Sequence, residues 1–368
     1  MKIVIFGLTM SSSWGNGHAT LWRGLSKALV RRGHKFFFFE RDVPYYASHK
    51  DFGGIPGVEL YLYPDWQSVL PMAKRHLEDA DIGMVTSYSA DAIHASVLVL
   101  SSRARLRAFY DLDTPVTLDR LSSGKPVEYI GKRGLKDFDL VLSFTGGRAL
   151  GELGKKLGAK RVYPLYGSVD PEAHRPVKPC EAYRADMSYL GTYSGDRQDA
   201  LNELFIEPSR RLPEKKFLIG GALYPEDFPW TRNIYFARHV PPPEHPAFYC
   251  SSKLSLNITR RPMAEMGHCP SGRLFEAAAC GAPVLSDYWE GMEEFFEPGK
   301  EILIGRRAED AIEALRMSGS EIRKIADAAR ERALQEHTAG HRAVELEEIF
   351  EDALAQTGEE IIGEEITG

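Results

Sequence analysis

The apolar positions of this chain fall in short continuous runs, separated by stretches with another period. Residues 2–7 (KIVIFG) and 36–39 (FFFF) are runs of the kind that form strands buried on both faces. Between them Leu21, Leu25, Ala28 and Leu29 recur at helical spacing and predict a helix over 19–32, stopped by Gly33. Strand, helix, strand makes a βαβ unit. Its first loop, 8–18, is polar and contains glycine. It lies at the carboxyl end of the first strand, where open α/β sheets place ligands.

The alternation continues. Strands are predicted at 58–63, 82–86, 106–110, 140–144 and 161–165, with helices between most of them, such as 90–101 and 147–157. It breaks over 167–179, a stretch without period that holds Pro171, Pro176 and Pro179. It then restarts, with strands at 187–190, 216–219, 234–236, 254–258, 284–286 and 301–304, and helices at 198–205, 246–250, 274–280 and 308–317. The pattern predicts an α/β chain of two tandem Rossmann-like domains with parallel sheets, 1–168 and 169–340. Residues 320–355 read as strongly helical. The end of the chain, 341–368, is a final helix and a tail, loose from Thr357 on because few apolar groups remain.

Composition adds limits. The 368 residues suffice for two ordinary domains, and 43% hydrophobic with 27% charged is a globular balance. A net charge of −6 argues against a nucleic-acid partner, which needs a basic field. A phosphorylated small molecule needs only a local cluster. Cys180, Cys250, Cys269 and Cys280 form no C-x-x-C pair and read as reduced thiols. The apolar run at 2–7 is too short for a signal peptide, and no run approaches the roughly 18 residues that span a bilayer. A soluble, cytoplasmic protein is expected, with peripheral membrane contact left open.

The stretch 270–286 carries the densest chemistry. Ser271 suits a helix N-cap, residues 274–280 are helix formers, Gly281 suits a left-handed end, and Pro283 blocks continuation. Gly272 and Arg273 at a helix start, with Leu274 behind them, suit an anion held by backbone amides and a guanidinium. Glu276 sits one turn in, where a carboxylate can reach a sugar hydroxyl beside that anion. The plain alternative is an ordinary capped helix whose dipole favours an acid.

Other loops follow predicted strands. Gly191, Thr192, Tyr193 and Arg197 open the second domain's first strand-to-helix loop, a place for phosphate without the full G-x-G-x-x-G pattern. Arg260 follows the strand that ends near Asn257, and can offset diphosphate charge. Gly220, Gly221, Arg238 and His239 can flank a base. In the first domain His18, in Gly15-Asn16-Gly17-His18, can act as a general base. Asp111 and Asp113 can hold an acceptor or take its proton, or simply form a turn. Two acids at this spacing are weak support for a metal, and none is assigned. Glu40 and Asp42 can line an acceptor pocket. Trp14, Tyr45, Tyr46, Tyr88 and Trp289 can stack on sugars or serve as core. His34 reads as structural.

Two tandem Rossmann-like domains, a Pro-rich linker and a long final helix resemble the GT-B glycosyltransferases. Residues 274–284 (LFEAAACGAPV) are similar to the E-A-x-A-x-G-x-P-V segment of glycosyltransferase group 1, family 4-like, and within it to the CgeB-like branch. Residues 190–194, 256–260 and 295–302 fit the same branch, as do 15–18 with 32–34. The resemblance implies parallel sheets facing an interdomain cleft, with the acceptor on the first domain and the nucleotide on the second. It implies transfer of a sugar from a nucleotide-diphosphate sugar, UDP-linked, to an acceptor hydroxyl. The acceptor class is a saccharide, a lipid-linked compound or a small molecule. No cofactor beyond the donor is required, and oligomeric state is not fixed. Glu276 matches the family glutamate that binds ribose. Eight positions earlier, where the family carries a second glutamate facing the donor sugar, stands His268. Two rivals remain: an NAD(P)-dependent oxidoreductase with Glu40 on the ribose, and a non-catalytic nucleotide-sugar-binding protein.

Overall fold

The computed structural model describes the backbone of residues 1–367 and the side chains of residues 1–357. The chain clusters into two units. The first comprises Met1–Ser12, His18–Tyr166 and Ala339–Gly368, the second Ser13–Gly17 and Gly167–Thr338.

The first unit is built on seven parallel strands: β1 (Lys2–Gly7), β2 (Lys35–Arg41), β3 (Val58–Tyr63), β4 (Ile82–Thr86), β5 (Leu106–Asp111), β6 (Leu140–Ser143) and β7 (Val162–Pro164). Their order is β3-β2-β1-β4-β5-β6-β7. The reversal between β1 and β4 is the switch point of a doubly wound sheet. The Phe36–Phe39 run is buried on both faces, as its continuity predicts. Strand β1 pairs with β2 from Lys2↔Lys35 to Gly7↔Glu40. Gly7 is needed there, since a Cβ would stand 2.1 Å from the Phe38 ring. The helix His18–Arg31 lays Leu21, Trp22, Leu25 and Leu29 on this sheet. Each such burial is worth roughly 1.5–3 kcal/mol.

The second unit repeats the plan with β8 (Ala185–Leu190), β9 (Phe217–Gly221), β10 (Ile234–Arg238), β11 (Ser252–Asn257), β12 (Val284–Ser286) and β13 (Leu303–Ile304), in the order β10-β9-β8-β11-β12-β13. Its core gathers Met187, Tyr189, Phe205, Phe217, Leu254, Leu256 and Leu285.

Strand positions agree with the pattern to within a few residues, and the helices depart more. The helix Trp66–Leu77 lies between β3 and β4 and accommodates Pro71; Asp65 caps it by accepting from the Ser68 amide at 3.0 Å. Thr114–Ser122 is a helix, and Pro115 in its first turn starts it rather than marking a turn. The segment predicted at 198–205 runs from Gly195 to Arg211, through 3-10, α and π turns. The C-terminal helical region divides at His337 into Gly319–Glu336 and Ala339–Thr367. The last helix reaches Thr367, which corrects the loose tail expected from Thr357; Gly368 lies outside the described residues. Glu347 on that helix holds Arg32 and His34, and their hydrogen bonds push its carboxyl down to about 2. His34 is structural, as expected. Among the described residues no helix is long and apolar enough to cross a membrane.

Candidate active site

The helix Gly272–Ala279 ends as the sequence dictates. Gly281 takes φ +70°. Its amide donates to the Ala278 carbonyl at 2.8 Å, and the Ala282 amide donates to Ala277 at 3.0 Å. This is the Schellman pair of bonds around a left-handed glycine. Phe275 packs on Phe295, Phe296 and His337 and anchors the helix.

The helix start differs from the expectation. Ser271 has the extended backbone of an N-cap (φ −68°, ψ 138°), but its hydroxyl makes no capping bond. The first turn is therefore without a side-chain cap, which leaves it suited to an external anion. A Cβ on Gly272 would meet nothing within 4 Å, so the approach is open. Leu274 takes no part in this opening. Its side chain is buried and its amide donates to the Ser271 carbonyl at 3.0 Å.

Arg273 is held from two sides. Its Nη1 donates to Asn257 Oδ1 at 2.9 Å, and its guanidinium lies 5.4 Å from the centre of the Tyr189 ring. Asn257, at the end of β11, is itself fixed by donating Nδ2 to Ser286 Oγ at 2.9 Å. Gly191 follows β8, and a Cβ there would stand 3.2 Å from Arg273 Nη2. The Gly191 loop and Arg273 are thus neighbours at the carboxyl edge of the sheet. Arg197 donates to the Thr192 carbonyl at 3.1 Å and closes this loop. Arg260 donates Nε to Asp196 Oδ2 at 2.9 Å. Tyr193 packs its ring 5.5 Å from Tyr224, and its amide donates to the Ala222 carbonyl, so it shapes the loop from behind. His239 follows β10 at φ +55°, with its amide donating to the Gly221 carbonyl at 2.8 Å. Asp287, after β12, accepts from the Thr259 amide and hydroxyl, and burial pushes its carboxyl up to about 6.

Glu276 is 8% exposed. The Tyr249 hydroxyl donates to its Oε2 at 3.2 Å. His174 Nε2 stands 3.8 Å from Oε1, and His245 Nδ1 stands 3.9 Å from Oε2. Burial pushes the His245 imidazolium down to about 4. Sequence reasoning missed Tyr249, His174, His245 and Asp196. The one signal for His174 was its place in an otherwise polar linker. His268, where a second glutamate was expected, sits at φ +46° with Nδ1 3.2 Å from Glu294.

In the first unit, His18 is the first residue of its helix, with Nε2 3.7 Å from Asp113 Oδ1. Phe144 meets the His18 ring edge-on at 5.6 Å. Asp111 ends β5 fully buried, and burial pushes its carboxyl up to about 6. One oxygen accepts from the Asp113 amide at 3.3 Å, and the other has no hydrogen-bond partner among the described residues. Tyr88 faces the same region at φ +63°, its ring 4.8 Å from Tyr129.

Glu40 corrects the sequence reading. It accepts from Thr9 Oγ1 at 2.6 Å, the Met10 amide at 2.7 Å and the Ser11 amide at 2.9 Å. It is buried and spent on the loop after β1. It therefore neither lines an acceptor pocket nor offers a carboxylate to a ribose, which removes the oxidoreductase rival's main support. Asp42 pairs with Lys50 at 2.9 Å, and Trp289 is core.

Residues 197–348 match the family described as glycosyl transferase-like. No curated protein matches the chain by sequence. Solved structures share its fold. Sucrose-phosphate synthase from Thermosynechococcus elongatus superposes with a TM-score of 0.68 at 12% identity, over 97% of this chain and all of that one. HepE from Anabaena, solved with UDP and glucose, gives 0.66 at 14% identity over 95% of this chain and 99% of its own. The T4 phage enzyme BGT, solved with its substrate UDP-glucose, gives 0.62 at 14% over 96% and 99%. The fold is that of the GT-B glycosyltransferases, with two Rossmann-like units of seven and six parallel strands.

Proposed function

We propose that this GT-B glycosyltransferase takes its sugar from a UDP-linked donor and passes it to an acceptor hydroxyl. One observation carries the donor half: Arg273, the Gly191 loop and the uncapped start of Gly272–Ala279 converge at one sheet edge. Charge grows on the diphosphate as it departs. A guanidinium already fixed by Asn257 and Tyr189 meets that charge without reorganising. Arg260, steadied by Asp196, adds a second cation. Glu276, one turn further, is the ribose candidate. UDP as the nucleotide is supported by HepE and the T4 enzyme, both solved with it or its glucose conjugate.

The acceptor half rests on the first unit. His18 takes the acceptor proton while the Asp113 carboxylate steadies the imidazolium that forms. Asp111 is the inner acid of this group. A protein base of this kind favours inversion at the sugar carbon, and the absence of a glutamate at position 268 agrees with that. In a retaining enzyme the leaving phosphate can take the proton and His18 is dispensable.

A mass-spectrometric screen of UDP-, GDP-, ADP- and TDP-sugars, with R273A as control, tests the reading. Release of UDP, lost in the variant, is expected. Absence of binding to every nucleotide sugar would overturn it, and binding without turnover would favour a non-catalytic binding protein.

A further inference from the structure

We infer that His174, His245 and Glu276 form a divalent metal site of the zinc type within the second unit. The three residues come from separate elements: the 167–179 segment, the helix His245–Cys250 and the helix Gly272–Ala279. One donor atom from each lies within 4.8 Å of the others. His174 is 4% exposed and, among the described residues, neither of its ring nitrogens has a hydrogen-bond partner; His245 Nδ1 also lacks one. Buried polar atoms left this way keep the full cost of their lost hydration. The carboxylate does not relieve them, because 3.8 and 3.9 Å exceed hydrogen-bond reach.

Those separations suit ligands of one ion. Zinc at about 2.0–2.2 Å from nitrogen and oxygen sets tetrahedral ligands roughly 3.4 Å apart. The two His–Glu contacts, which run to different carboxylate oxygens, close by a few tenths of an ångström, and donor atoms up to 4.8 Å apart draw in further around the ion. The outer contacts fit as well. His245 Nε2–H donates to the Val240 carbonyl at 3.1 Å, which in the neutral ring leaves Nδ1 a lone pair aimed at the carboxylate. Two lone-pair-bearing atoms face each other there, and a cation between them turns repulsion into ligation. The Tyr249 hydroxyl donates to Glu276 Oε2. A backbone acceptor behind the histidine and a donor behind the carboxylate are the supports that metal ligands carry. Two imidazoles and one carboxylate favour zinc over magnesium or calcium, which prefer oxygen alone. The ion would tie the 167–179 segment to both helices.

The site shares Glu276 with the donor reading, in which that carboxylate meets the ribose, so metal content and UDP binding are measured separately. The full untagged chain, purified without chelator, should carry about one equivalent of zinc. Cobalt added to the stripped protein should show the visible absorption of a four-coordinate ion, a readout that needs no variant. H174A and H245A should each lose the metal, and a chelator should lower the wild-type Tm until zinc restores it. A stripped protein that takes up neither zinc nor cobalt would overturn the proposal. So would full metal content in both variants, or stabilisation of the stripped protein by uridine and not by zinc.

Discussion

The two sheets meet their first loops in opposite ways. In the first unit the loop after β1 is folded around the protein's own carboxylate. Glu40, at the end of β2, takes up the Met10 and Ser11 amides that would otherwise be available to a phosphate. In the second unit the loop after β8 stands beside a guanidinium, with Arg273 next to Gly191 and Arg197 closing the turn. The topology is the same and the sign of the charge is reversed. A Rossmann-like sheet thus offers a place for a diphosphate, and the side chain opposite the loop decides whether that place is available. The proposed acid–base groups show the same division. His18, Asp111 and Asp113 belong to the first unit, while the cations at the donor loop belong to the second.

The sharpest way to break this contrast is to remove one group from each unit. H18A should lower kcat by about 10²–10⁴ while calorimetry shows unchanged UDP affinity, if proton removal belongs to the first unit. An unchanged kcat would point to retention with the phosphate as base. R273A should lower kcat/KM by about 10²–10³ and weaken UDP in the same titration. Loss of turnover with intact UDP binding would contradict the role given to this cation.

Asp111 tests the first unit by pH. Its carboxyl is lifted from about 4 in the unfolded chain to about 6 in the folded one, chiefly by burial. A carboxyl raised on folding contributes stability that is fully present below about pH 4 and is lost as pH rises through about 6. The loss is on the order of 3 kcal/mol at most, at 1.36 kcal/mol per pH unit. Asp287 shifts in the same direction and adds to it. D111N should flatten part of this dependence. Tm values at about pH 4.5 and about pH 7.5 should therefore lie closer together in the variant than in the wild type. An unchanged difference would mean Asp111 does not titrate as its burial implies.

Smaller effects sharpen the second unit. Y249F removes the hydroxyl that Glu276 accepts, and should weaken UDP about three- to tenfold by calorimetry, near 1 kcal/mol. S271A should change stability by less than about 0.5 kcal/mol in urea denaturation, because the hydroxyl caps nothing, whereas a true N-cap loses about 1 kcal/mol.

The outline of both sheets was legible because buried parallel strands write themselves as continuous apolar runs, Phe36–Phe39 above all. The end of the Gly272–Ala279 helix was legible because glycine at a left-handed position is a local rule. The partners were not. Asp196 meets Arg260 across 64 positions, and Glu40 meets Thr9 across 31, and no local pattern records either pairing. Glu40 looked like a free acid after a strand and is a loop organiser. Ser271 has the right residue type and backbone for a cap, yet its side chain does not take the bond. Glu276 was visible as an acid on a helix, whereas its enclosure by Tyr249, His174 and His245 depends on two other elements.

We propose that the nucleotide binds the second unit at the edge formed by the Gly191 loop and Arg273. Hydrogen–deuterium exchange of the full chain with and without UDP tests it most directly. Slowed exchange confined to peptides covering 190–198 and 257–280 is the predicted result. Slowed exchange at residues 8–17 with none in those peptides would contradict it.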